Sequence, residues 1–410
     1  MHRYISILRS RMPVLAAVAT ILLALWIGFS SRGSMFGAWQ AIHAPAISPI
    51  FADTRTVTHS IDCLLHGQDP YTVRTFDPWH RVYNYPPIWL DLRFLGVTSR
   101  STDLLGTILG IMTVIGFLIL FKSRTWITAL IIFLCVTSKA VLFAVERGNT
   151  DQVIFFLLVL GLFVIDRRKP ALKPFLKSAL IVFLTILKIF PLAAVAVLVR
   201  NRKGALVALL AGACSIAALA ITCGHRLPQV LANTPQDVMI SFGSLPFFVA
   251  IFTHTSHRLL WMVQHHPKAV SLGALLLAVL SVVAGASFRE QLDHFLPPLD
   301  FDDTRGCIAV AGLAIFCTSF LRGSSYDYRL IFLLGVIAYL VQELDKRTSL
   351  RSLPAAILFL LLLWKPAPLS FPFEIVDGLV FIAACAWLGT SLLAHLQRTG
   401  PITPSSPHVQ

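Results

Sequence analysis

Asp53 opens a polar run in an otherwise apolar chain, leading from Asp53 and Arg55 through His66 and Gly67 to Tyr71. A carboxylate just past the end of a membrane span can accept the proton of a hydroxyl arriving from water, which is the work of a general base. The plainer reading is a loop aspartate paired with Arg55. Farther on, Tyr71, Trp79, Arg81, Tyr83, Asn84 and Tyr85 crowd among Pro70, Pro78, Pro86 and Pro87. Aromatic faces with polar tips suit sugars and lipid headgroups, and the prolines stiffen the loop that carries them. An interfacial aromatic belt would account for Trp79 and some of the tyrosines equally well.

Charge also stands where a membrane chain rarely keeps it. Glu146-Arg147-Gly148-Asn149-Thr150-Asp151 joins two apolar runs and is more polar than a tight turn requires. Gly148 permits the turn, Asn149 and Asp151 suit the cap of the next helix, and ligand contact is compatible with both. Lys188 sits in mid-segment, at Lys188-Ile189-Phe190-Pro191. An ionisable group at such depth is costly unless it lines a cavity or meets a partner such as a phosphate, with snorkelling to the interface as the alternative. Arg322 and the run Tyr326-Asp327-Tyr328-Arg329 fall at a helix end. Cations there could hold a lipid phosphate, or Asp327 could pair with Arg322 or Arg329.

The elements that must position these groups are helices in lipid. Of 410 residues, 56% are hydrophobic and 13% charged, and the mean hydropathy is +0.76, the balance of a polytopic membrane protein. Apolar segments recur at 14–30, 103–121, 126–142, 152–166, 204–223, 268–287, 306–321, 329–343, 352–364 and 374–395. A helix needs roughly 20 residues to cross the hydrocarbon. A further segment, 176–199, has basic residues on both sides and is read as two half-helices that enter and return, with Lys188 near the turn. The expected fold is all-α, with about 12 membrane segments and a large first extracytoplasmic loop at 31–102. No alternating pattern suggests a barrel.

Arg3, Arg9 and Arg11 precede the first segment, and Lys122 and Arg124 join the second to the third. The positive-inside bias then puts the N-terminus in the cytoplasm and the loops 31–102, 143–151, 224–267, 322–328 and 365–373 outside. The same bias accounts for the net charge of +14, so no nucleic-acid partner is expected. The first apolar run lacks a small-residue cleavage site and reads as an uncleaved anchor. Two apolar patches between 239 and 264 are too short to cross and read as surface or re-entrant helices. Residues 1–398 form one expected membrane domain, and 399–410, with three prolines, a disordered tail. Neither metal-ligand spacing nor a cofactor motif is present, so no metal and no cofactor are expected.

Together, Asp53, Gly67 and Tyr71, then Tyr85-Pro86-Pro87, the Arg147-Gly148-Asn149 turn, Leu187-Lys188-Ile189-Phe190-Pro191 and Tyr326-Asp327-Tyr328-Arg329 resemble glycosyltransferase family 87. These are integral-membrane enzymes of the GT-C class that use polyprenyl-phosphate sugars, with an alpha-mannosyltransferase as the best-known type. The resemblance implies Asp53 as catalytic base. Substrate contacts are expected among Arg55, Tyr71, Arg81, Tyr83, Tyr85, Glu146, Arg147, Asn149, Asp151, Lys188, Tyr326, Asp327 and Arg329. Some members carry a histidine in the late loop where this chain has Tyr326, Tyr328 and Arg329.

The implied reaction moves a hexose, mannose foremost, from a polyprenyl-phosphate donor to a glycolipid or lipid-linked glycan. It would take place at the outer face of the inner or plasma membrane, among membrane lipid, with inversion at the anomeric carbon. A lipid or glycan flippase would share the layout but should show structural repeats and a central file of charges. A non-catalytic subunit of an envelope-glycan complex would tolerate loss of the Asp53 carboxylate.

Overall fold

The computed structural model describes residues 2–235, 240–253, 255–346, 350–365 and 371–397, so the expected tail and most of the 365–373 loop lie outside the described residues. The architecture is all-α, as expected. The helices are α1 His2–Arg32, α2 Met35–Ala41, α3 Ala52–Leu65, α4 Thr102–Leu120, α5 Trp126–Val136, α6 Lys139–Arg147, α7 Asp151–Asp166, α8 Lys173–Leu187 and α9 Arg202–Cys223. They continue as α10 Leu227–Ala232, α11 Ser244–Thr253, α12 His257–His265, α13 Pro267–Ser287, α14 Arg289–Phe295, α15 Thr304–Leu321, α16 Leu334–Lys346, α17 Leu353–Leu363 and α18 Phe371–Gln397. One short ribbon pairs β1 (Ser241–Phe242) antiparallel with β2 (Ser325–Tyr326).

Among the described residues, eight helical stretches are long and apolar enough to cross a membrane. Other expected segments are shorter or broken. The 329–343 run begins as a 3-10 helix at Asp327–Leu333 before α16, and α17 has 11 residues. The two apolar patches near 239–264 form α11 and α12.

Basic and acidic side chains tie the connections together at one end of the bundle. Arg305 Nε donates to the Leu120 carbonyl at 3.0 Å, Lys173 pairs with Asp166 at 2.8 Å, and Arg200 pairs with Asp302. At the same end Arg11 donates to the carbonyl of Phe121, closing the last turn of α4. Asp303, the neighbour of Asp302, caps α15 by accepting from the Gly306 amide at 3.1 Å.

The 176–199 segment reverses direction at Lys188. α8 stops at Leu187, Lys188 is extended with φ −162° and ψ 143°, and a 3-10 helix, Phe190–Leu198, packs back against α8 and α15. Pro191 cannot donate to the preceding turn, so the α-helix cannot run through it. The Trp89 indole donates to the Leu187 carbonyl at 2.9 Å, satisfying an acceptor the break leaves open. Both basic flanks thus lie at the end away from Lys188, and Lys188 itself meets the first turn of α7.

The core runs through α15, α16 and the 3-10 helix before α16. Leu313, Ile315, Ile331, Leu334 and Ile337 have no exposed surface. A smaller cluster of Val57, Ile61, Tyr71, Tyr83 and Tyr85 seats the first loop on α3.

Candidate active site

At the end of the bundle away from the paired basic connections, α3, the 74–86 loop, the end of α6, the Lys188 break and the 322–329 loop enclose a cavity of about 330 Å³. α3 starts from Phe51, whose φ of 61° turns the chain sharply, so that Asp53 falls in the first helical turn. The partial positive charge of a helix N-terminus favours a carboxylate there. Asp53 is buried but lines the cavity wall. Its Oδ2 accepts a hydrogen bond from Asn149 Nδ2, and Arg81 Nη1 stands 3.6 Å from its Oδ1.

The α6–α7 turn docks against this helix. Thr54 Oγ1 donates to the Gly148 carbonyl at 2.6 Å, and the Phe51 amide donates to the Glu146 carbonyl at 2.9 Å. Gly148 has φ +56°, and a Cβ there would lie 2.3 Å from Thr54 Oγ1. Only glycine fits both the left-handed backbone and the close approach.

Behind the wall lies a chain of charges. Asn149 Oδ1 accepts from the Asp151 amide at 2.8 Å and from Lys188 Nζ at 3.2 Å. Asp151, fully buried, pairs with Lys188 and, at 3.2 Å, with Arg329 Nε. Lys188 Nζ also stands 5.1 Å from the Tyr85 ring centroid, and the Arg329 guanidinium 4.5 Å from that of Phe190. A buried carboxylate is stable here because two cations share it. Those cations keep one face toward the cavity.

Asp77 accepts from Arg81 Nε at 3.1 Å and Nη2 at 2.9 Å, and Arg81 Nη2 also reaches the Ala52 carbonyl at 2.8 Å. Burial opposes the Arg81 charge, but the hydrogen bonds to Asp77 and the charge of Asp53 outweigh it and raise its pKa. Burial and the nearby Asp53 charge push the Tyr85 phenol well above its ordinary value, so it stays neutral. Arg322 lines the cavity without a carboxylate partner among the described residues, and burial and the charge of Arg329 lower its pKa.

Of the expected contacts, Asp53, Arg81, Tyr85, Arg147, Lys188, Tyr326 and Arg329 share this cavity. Asn149 and Asp151 stand one layer behind, fully buried. Glu146 is also buried and accepts from the Ile47 amide at 3.0 Å. Arg55 turns away from Asp53 and pairs with Asp103 at 2.9 Å. Tyr71 and Tyr83 are buried and donate to the carbonyls of Tyr85 and Pro86, at 3.0 and 3.1 Å, so they shape the loop. Asp327 pairs with neither Arg322 nor Arg329 and faces Lys365 at 3.9 Å.

Tyr328, from the late-loop run, lines the cavity too, and so do Thr56, Arg74, His80, Asn233 and Ser325, which sequence reasoning missed. Thr56 had a signal, since it lies three residues after Asp53 on one helix face. Asn233 had none. It donates to the carbonyls of Tyr71 and Tyr83 at 3.1 and 3.0 Å across a large gap in sequence.

A sequence model of glycosyltransferase family 87 matches residues 84–343. The match takes in Tyr85, Arg147, Asn149, Lys188 and Arg329 and begins after Asp53, Gly67 and Tyr71. No curated protein and no solved structure gives a significant match. With more than half its length matched, and with apolar helices that make it a multi-pass membrane protein, the chain belongs to glycosyltransferase family 87.

Proposed function

We propose that this glycosyltransferase moves a hexose, mannose foremost, from a polyprenyl-phosphate sugar to a glycolipid or lipid-linked glycan, with Asp53 as base. The observation that carries the reading is one carboxylate, Asp53, facing a cavity whose other charged lining residues are the cations Arg74, Arg81, Arg147, Lys188, Arg322 and Arg329. Asp53 takes the proton of the acceptor hydroxyl while that oxygen forms a bond to the anomeric carbon. The bond from that carbon to the phosphate oxygen breaks on the opposite face, which inverts the centre. The leaving polyprenyl phosphate carries the negative charge away without needing a proton. The charges of Arg322 and Arg329 oppose each other, and a phosphate between them relieves that repulsion and stabilises the charge that develops.

The chemistry is assigned to the extracytoplasmic face of the inner or plasma membrane. In support, the basic residues Arg11, Lys173 and Arg200 gather at the other end of the bundle, as the positive-inside bias asks of a cytoplasmic side. Membrane vesicles supplied with radiolabelled polyprenyl-phosphate mannose, and in parallel with other polyprenyl-phosphate sugars, test donor and acceptor together. Label moving into a glycolipid from one donor identifies the sugar. No transfer from any polyprenyl-phosphate sugar would overturn the donor assignment.

A further inference from the structure

Next to the loop that carries Arg329 lies a second charged cluster that the transfer chemistry does not use. Lys365, just past α17, is 4% exposed, and Glu374 and Asp377 on α18 have no exposed surface. Lys365 Nζ stands 2.6 Å from Glu374 Oε1, 2.9 Å from Asp377 Oδ2 and 3.9 Å from Asp327 Oδ1. It also donates to the Ser241 carbonyl at 2.8 Å.

These contacts join parts of the chain far apart in sequence. Ser241 belongs to β1, and Asp327 directly follows β2. The ribbon itself has only the pairs Ser241–Tyr326 and Phe242–Ser325, extended by the Asp327 amide donating to the Ile240 carbonyl at 3.1 Å. So short a ribbon does not hold its register alone. Two residues beyond Asp327, Arg329 reaches Asp151 and donates to Ser325 Oγ, while Tyr328 lines the cavity. A buried ion cluster adds little net stability over well-packed apolar residues of the same volume. What it does is restrict geometry: Glu374, Asp377 and the Ser241 carbonyl meet the ammonium at 2.6, 2.9 and 2.8 Å, and Asp327 faces it at 3.9 Å as a charge pair without a hydrogen bond.

We propose that Lys365 is a positioning residue for sugar transfer. Its ammonium clasps β1 to Asp327 and thereby fixes how Tyr328 and Arg329 face the cavity. The link to transfer rests on the reading of Arg329 as a donor-phosphate contact.

The test uses the full chain in lipid nanodiscs, with a short isoprenyl phosphate as the binding probe. The E374Q/D377N background leaves Lys365 paired with Asp327 and is expected to bind the probe and transfer sugar as the parent does. Adding K365M should speed hydrogen exchange of the 324–329 peptide about ten-fold or more while α15 stays protected. It should also weaken probe binding about ten-fold and raise donor KM more than it lowers kcat, with K365R in the same place restoring both. D327N releases the clasp from its other side without stranding a charge and should reproduce the effect if the triple variant does not fold. Unchanged exchange at 324–329 in either variant overturns the proposal. R329Q separates it from the donor reading. If R329Q weakens the probe and K365M does not, Lys365 has no positioning role. If neither does, the donor-phosphate reading is wrong and the positioning role falls with it.

Discussion

Asp53 has two polar neighbours of different kinds, and they divide the work of holding it. Asn149 donates a hydrogen bond to one oxygen, and Arg81 stands 3.6 Å from the other, so the carboxylate is held on both sides yet not locked in a tight bidentate pair. Asp53→Asn keeps the shape and removes the proposed base. It should lower kcat by about 10²–10⁴-fold with the fold intact, read as glycolipid formed per unit of folded protein. Wild-type turnover in that variant would point to a non-catalytic chain. Asp151→Asn strands two cations, Lys188 and Arg329, in a buried setting. Removing one partner of a buried pair costs roughly 3–5 kcal/mol, so thermal unfolding in detergent should shift down markedly along with the loss of transfer. The residue types of this layer were visible in the sequence; their pairings were not. Arg55 sits two positions from Asp53 yet faces Asp103, because a helix turns side chains so close in sequence onto different faces.

At the scale of elements, the site depends on helices that stop in the right place. α6 ends at Gly148, α8 ends at Lys188, and the Phe190–Leu198 helix carries the chain back from the cavity. Gly148→Ala would force a side chain into left-handed backbone, at a cost of about 1 kcal/mol or more, and drive its Cβ against Thr54 Oγ1. The larger effect is expected on activity, since that contact sets the distance from Asn149 to Asp53; a stable, fully active variant would refute it. Both stops were legible, because glycine after a polar turn and proline after Lys188 are direct statements about backbone. The β1–β2 ribbon was not legible. Two residues per strand leave no periodic trace, and Ser241 meets Tyr326 only once the helices between them have packed.

Across the whole molecule, the cavity opens at one end of the bundle and the basic connections gather at the other. If that polarity follows the membrane as proposed, a cysteine at His80 should react with an impermeant maleimide added outside intact cells, and one at Lys169 only after permeabilisation. The reverse pattern would put the chemistry in the cytoplasm. By itself the sequence determined the solvent, the helical class, the helix-breaking residues and the short stretches where charge is concentrated, because each follows from local composition and the need to satisfy backbone polar groups within lipid. Only the tertiary structure decided that Asp53, Asn149 and Arg81 meet, that Asp151 is shared by Lys188 and Arg329, and that Tyr71 and Tyr83 shape the loop from within. The reason is physical. A buried charge or polar group must find a partner somewhere, but the long-range packing of helices chooses which one it meets.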